Sequence, residues 1–300
     1  MKKLFSIGII KGIIFQILGS LLGAGLLGGI RALMGLPWKT EPAIVLGGFI
    51  GAIAFMVGIG GFSAWWKMAM GEEVPEANQV QGHQGKLRYL EFSLDHKVIG
   101  IQYGILSMVL LVVGGSLALI FRVELAQSGL QLLNFVQFNT LVGLHGMVLI
   151  AYILMGIAAM SNYVVPLLIG AEDMAFPRLN AFSFWIAVPA SLLLLSSMFF
   201  GGFETGWTAY PPLSVRGPMG IQMFFLGVFI VGWSSILGAL NLIATILTMR
   251  TKGMRLFRMP IFAWSVLATS IISLTATQLI GLSFQLVMFE RLLGMSFFTP

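Results

Sequence analysis

Long apolar runs alternate with short polar connectors along the whole chain. The runs cover about residues 4–30, 43–66, 98–121, 138–169, 179–200, 220–248 and 261–289. Each exceeds the roughly 18 residues at which an apolar stretch reads as a membrane span. In hydrocarbon an open strand edge leaves its backbone unsatisfied, so each run is expected to be a helix. The pattern predicts an all-α fold: a polytopic transmembrane helix bundle of about seven spans.

Composition supports lipid as the solvent. Of the 300 residues, 58% are hydrophobic and 9% charged, against roughly 25% charged in an ordinary soluble domain. The formal net charge of +6 is not a nucleic-acid signature, because the basic residues sit in short loops between apolar runs. That distribution reports orientation instead. With the N-terminus inside, the inner segments hold Lys2, Lys3, Lys67, Lys86, Arg88, Lys97, Arg178, Arg250, Lys252, Arg255 and Arg258. The outer loops hold only Arg31, Lys39, Arg122, Arg216 and Arg291. The bias predicts an N-terminus in the cytoplasm and residue 300 outside, in a cell (inner) membrane. The absence of cysteine excludes disulfides, thiolate metal sites and cysteine nucleophiles.

The opening Met1-Lys2-Lys3 and apolar run resemble a secretory signal. The run is longer than an h-region of about 7–15 residues and no A-x-A site ends it, so a retained span is expected. The pairs Gly19/Gly23, Gly25/Gly29 and Gly47/Gly51 have small-xxx-small spacing, which lets helix backbones approach closely. The polar stretch 67–97 is the longest connector and is expected on the inner surface. It divides a two-helix extension with its connector (1–92) from a five-helix block (93–300).

Candidate chemistry is sparse. No phosphate-binding loop, nucleophile elbow, H-E-x-x-H motif or carboxylate cage is present, and Gly58-Ile-Gly60-Gly61 lies within a span. Of the three histidines, His83 and His96 fall in the inner connector, where His83 reads as a solvated surface residue. His145 lies inside the fourth run, about two turns from its outer end. A histidine there is costly and marks a functional position. Neutral imidazole is a common haem ligand, and Gly143 and Gly146 would let a flat macrocycle approach. Hydrogen bonding to a neighbouring helix accounts for it equally well.

Asn162 follows 17 residues later, about 25 Å along a helix, and so lies towards the inside. There Asp173 and Asn180 join it, with Ser234, Ser235 and Asn241 on the sixth run. Ser234 and Asn241 are about two turns apart and share a face. These residues can form a polar line that holds water and conducts protons. Interhelical hydrogen bonding uses the same residue types. In the outer loop, Trp207 and Tyr210 suit an interfacial aromatic belt.

Several segments resemble the haem-copper oxidase subunit I family (cytochrome c and quinol oxidases). They include Asp95-His96-Lys97-Val-Ile-Gly100-Ile-Gln-Tyr103, Phe121-Arg122-Val-Glu124-Leu125 and His145-Gly146. A longer one runs Asn162-Tyr-Val-Val-Pro166-Leu-Leu-Ile-Gly170-Ala-Glu-Asp173-Met-Ala-Phe-Pro177-Arg178-Leu-Asn180. Others are Gly206-Trp207-Thr-Ala-Tyr210-Pro-Pro-Leu213, Ser234-Ser-Ile-Leu-Gly-Ala-Leu-Asn241 and Met259-Pro260-Ile-Phe-Ala-Trp264-Ser265. The resemblance covers about 93–300 and corresponds to the first five core helices.

The resemblance implies a terminal respiratory oxidase that passes electrons from cytochrome c or quinol to oxygen and moves protons outward. It makes His145 an axial ligand of a low-spin haem (a or b type), with Arg122 on a haem substituent and Trp207 near the haem edges. Asp173 becomes the proton-uptake entrance, with Asn162, Asn180, Ser234, Ser235 and Asn241 lining the path. A high-spin haem and copper are expected in the intact enzyme, on ligands beyond residue 300. Implied partners are subunits II and III and the remaining half of subunit I. This chain alone is expected not to reduce oxygen. The two spans in 1–92 are absent at this end of most members. A rival reading is a non-catalytic membrane fragment without haem, and a weaker one is a small b-type cytochrome.

Overall fold

The computed structural model describes residues 7–75 and 85–298. His83, Glu76, Lys2 and Lys3 lie outside them. In chain order the helices are α1 (Gly8–Leu33), α2 (Thr40–Gly58), the short α3 (Ser63–Ala69), α4 (His96–Glu124), α5 (Phe135–Ile169), α6 (Pro177–Ser196), the short α7 (Leu213–Arg216), α8 (Gly220–Thr248) and α9 (Ile261–Leu293). No strand occurs among the described residues. The seven long helices are each long and apolar enough to cross a membrane, as the apolar runs predict.

The helices extend past the apolar runs wherever polar residues satisfy their ends. Asp95 accepts the Lys97 N–H (2.8 Å) and caps α4. Asn134 and Gln137 form a capping box that starts α5 three residues before its apolar run. Such boxes pair two of the backbone donors a helix N-terminus leaves open. Gly170 ends α5 with a left-handed φ of 70°, and Pro177 opens α6 at a position that needs no N–H donor.

One expectation is corrected. The run 43–66 is not a single helix, because Gly58-Ile-Gly60-Gly61 interrupts it and Gly60 takes a φ of 87°. After the break α3 turns aside, and Trp65 packs on Phe182 of α6 with ring centroids 5.2 Å apart.

The long helices pack mainly in neighbouring pairs: α1 on α2, α4 on α5, α6 on α8, and α8 on α9. The α6–α8 pair is central, with 56% and 50% of their most apolar windows buried, against 17% for α1 and α9 at the edges. Phe224, Phe225 and Phe284 interlock α8 with α9. The chain alternates between two ends of the bundle. One end carries Asp173 and the 249–260 turn, and the other carries Trp207 and residues 294–298.

The α1–α2 contact is backbone on backbone. A Cβ on Gly51 would lie 2.7 Å from the Gln16 carbonyl oxygen, and one on Gly47 would lie 2.5 Å from that of Ser20. Gly19 and Gly23 meet the same seam, whereas Gly25 and Gly29 have nothing within 4 Å. Only part of the small-residue pattern therefore serves this contact. Gly51→Leu should destabilise the protein by about 1–3 kcal/mol through overpacking, and Gly25→Leu by less than about 0.5 kcal/mol. Unfolding in detergent would check this, and equal losses would mean that the packed face is misassigned.

Candidate functional site

His145 sits on α5, about three turns from its start, because the capping box begins the helix at Phe135. It is half-buried. Its Nδ1 lies 2.9 Å from the Gly114 carbonyl oxygen on α4. A carbonyl only accepts, so Nδ1 carries a hydrogen and donates it to Gly114. Phe121 packs edge-on against the imidazole, with centroids 5.4 Å apart. Arg122, the next residue, is exposed in the last turn of α4.

The glycines beside His145 face the outer loop. A Cβ on Gly143 would lie 2.6 Å from the Phe203 ring, and one on Gly146 would lie 3.3–3.4 Å from Trp207. Their small size admits Phe203 and Trp207, so the approach by a macrocycle expected at these glycines is taken up by protein. Thr140 fastens the same loop. Its hydroxyl accepts the Phe203 N–H (2.9 Å) and lies 3.1 Å from the Phe203 carbonyl oxygen. Trp207 is half-exposed and lines a largely apolar cleft of about 650 Å³ between α5, α8, α9 and the loop.

At the opposite end the polar residues divide into two groups. Asn241 is committed to the loop that follows Asp173. It accepts the Phe176 N–H (2.9 Å) and donates to the Phe176 carbonyl (3.1 Å). Thr245 accepts the Ala175 N–H (2.9 Å) beside it. Ser234 donates to the Ser183 carbonyl (2.6 Å). By contrast, both amide atoms of fully buried Asn180 lack a protein partner, as do Asn162 Oδ1 and Ser161 Oγ. Buried polar groups without protein partners are sites for ordered water.

Asn162, Ser234 and Ser235 share a cleft of about 100 Å³ with Tyr103, Ser161 and Ser270. That is room for several waters. Asp173, Asn180 and Asn241 are not among its walls. Ser235 and Leu154 line both this cleft and the larger apolar one.

Asp173 is partly buried, with its Oδ1 accepting the Met174 N–H at 2.7 Å. Burial pushes its carboxyl above the ordinary aspartate range, against the opposing pull of the Met174 N–H and the His96 charge.

Several of these groups carry little signal along the chain. His96 lies at the end of the inner connector in sequence, yet it is 2% exposed. Its Nδ1 donates to the Asn162 carbonyl (2.8 Å), tying the start of α4 to α5. Tyr103 and Ser183 are buried and joined at 3.0 Å, and the Ser183 hydroxyl donates onward to the Asn180 carbonyl (2.8 Å). Tyr103 closes the Asp95–Tyr103 motif, so a signal for it was present. Ser183 and Ser161 carried none beyond an ordinary serine in a helix. Among the described residues no group of three or more His, Cys, Asp or Glu side chains could hold a metal ion.

Comparison with known proteins converges on one family. The family model "Cytochrome C and Quinol oxidase polypeptide I" matches residues 98–300. The cytochrome c oxidase subunit 1 of Synechocystis sp. is 46% identical over 214 residues, covering 71% of this chain and 39% of that protein. That of Thermostichus vulcanus is 42% identical over 215 residues, with 71% and 39% covered. That of Corynebacterium efficiens is 39% identical over 239 residues, with 77% and 41% covered. The chain thus spans about two fifths of the length of these curated relatives. The family is one of haem- and copper-bearing membrane oxidoreductases, in keeping with the seven membrane-crossing helices described above. By the match over 98–300 and these identities, the chain belongs to the cytochrome c and quinol oxidase polypeptide I family.

Proposed function

We propose that this chain supplies the first five core helices of the catalytic subunit of a terminal respiratory oxidase, preceded by a two-helix membrane extension over 1–92. The intact enzyme would carry electrons from cytochrome c or quinol to oxygen and couple that flow to proton transport. Subunits II and III, and the rest of subunit I with its high-spin haem and copper ligands, would be its partners.

One observation carries this reading. The hydrogen bond from His145 Nδ1 to the Gly114 carbonyl sets the tautomer that leaves Nε2 free for a metal. A second ring nitrogen held by a backbone carbonyl is the usual support of a metal-bound imidazole. His145 would hold a low-spin haem, which supplies one-electron transfer when bound. The edge-on Phe121 ring limits rotation of the imidazole. Arg122 would offer its guanidinium to a haem substituent, and Trp207, packed over Gly146, would stand at the haem edge.

Asp173 would take up protons. Its carboxyl holds a proton more readily than an exposed aspartate would. Asn180, Asn162, Asn241, Ser234 and Ser235 would line the route inwards. The partnerless amides of Asn180 and Asn162 suit bound water along it. The Lys and Arg bias favours the Asp173 end as cytoplasmic.

Four outcomes test this reading. In the full-length subunit, His145→Ala should abolish the low-spin haem absorbance, and an unchanged spectrum would remove the ligand assignment. Asp173→Asn should slow proton uptake by roughly a hundredfold while leaving haem absorbance intact; uptake at the wild-type rate would take Asp173 off the path. The same variant carries a signed pH effect. A carboxyl whose pKa is raised by folding stabilises the fold below its unfolded pKa, and that contribution is lost as pH rises through its folded pKa. Asp173→Asn should therefore gain stability over wild type as pH rises above the ordinary aspartate range. Lastly, a reporter fused after residue 298 should be found outside the cytoplasm. A cytoplasmic reporter would reverse the orientation.

A further inference from the structure

The loop that carries Trp207 is held at both ends by side chains from neighbouring helices. At its start, Thr140 of α5 holds the Phe203 backbone. At its far end, Arg291 in the last turn of α9 donates to the carbonyls of Ser214 (3.3 Å), within α7, and Gly217 (2.6 Å), just after it. Arg291 is itself held from elsewhere. Its second terminal nitrogen lies 2.7 Å from Oε1 of Glu41, in the first turn of α2. The Arg291 side chain is 10% exposed and that of Glu41 is 30% exposed.

Arg291 thus sits where three parts of the molecule meet. Its planar fork donates to two carbonyls from one terminal nitrogen and pairs ionically with one carboxylate from the other, a geometry that a lysine ammonium does not reproduce. A guanidinium this buried needs an opposing charge. Glu41 supplies that charge, and it lies outside the span 98–300 matched by the oxidase family. The N-terminal extension therefore contributes a charge to the support of a loop that covers the His145 helix.

We propose that Glu41 is a positioning residue for the outer loop: through Arg291 it holds α7, and with α7 the segment that places Trp207 over Gly146. The extension is then more than a lipid-facing addition, because it sets the order of the loop beside the candidate haem site. This ordering does not depend on whether His145 binds haem.

Amide hydrogen exchange on the whole chain in lipid nanodiscs tests the proposal. The Ser214 N–H is bonded to the Tyr210 carbonyl and the Arg216 N–H to that of Pro212, so both amides report on α7. In Glu41→Gln these two amides should exchange about tenfold faster, between the effects of an exposed and a buried pair. Exchange in α1 should stay unchanged, and Glu41→Asp should restore most of the protection. Arg291→Lys keeps the charge but loses the fork, and should loosen α7 with the extension still docked. The chain has no cysteine, so Thr208→Cys provides a single thiol beside Trp207. Its labelling by a maleimide should quicken in the Glu41→Gln background. Unchanged exchange at Ser214 and Arg216 would overturn the proposal. Loss of protection in α1 together with α7 would also overturn it, because Glu41 would then serve only to dock the extension. Neither readout involves haem, so this result stands apart from that of His145→Ala.

Discussion

Hydrocarbon offers no hydrogen bonds to a backbone, so a chain dissolved in it must satisfy its peptide groups from within. That requirement makes the seven long helices, and it also governs their side chains. Most hydroxyls in the spans are used up locally. Ser116, Ser191 and Thr275 each donate to the carbonyl four residues back. Against that background the polar groups that reach another helix, or reach nothing, stand out. His145 reaches from α5 to α4, Ser234 from α8 to α6, and Gln16 from α1 to the Pro189 carbonyl of α6. Asn180 and Ser161 find no protein partner.

The segments that carry candidate chemistry lie at the two ends of the bundle, where backbone leaves the helices. Neither is left to its own turn geometry. Asn241 and Thr245 of α8 hold the backbone at Ala175 and Phe176, just after Asp173. Thr140 of α5 and Arg291 of α9 hold the loop that bears Trp207. In each case a side chain from a packed helix supplies the bond, so helix packing sets the loop position.

The same arrangement distinguishes buried amides by the partners they have. Asn241 engages the Phe176 backbone with both ends of its amide. Asn162 and Asn180 keep open hydrogen-bonding capacity. Residue types alone could not distinguish these roles, since an amide that clamps a loop and one that holds water are chemically identical. The partner decides, and the partner lies 65 residues away in the chain for Asn241.

What the sequence determined by itself was whatever depends on local periodicity and solvent. Span number, helix type and the approximate helix ends follow from apolar run length, because the cost of burying a peptide group in lipid is paid residue by residue. Motif order pointed to the family and to His145, Asp173 and Trp207. The tertiary structure decided what depends on distant partners. It broke the second run at Gly60, buried His96, and turned Gly143 and Gly146 towards Phe203 and Trp207. It also joined Glu41 to Arg291, 250 residues apart in number and 2.7 Å apart in space. No pattern along the chain encodes such a pairing, because it arises only when α2 and α9 are both packed against the centre of the bundle.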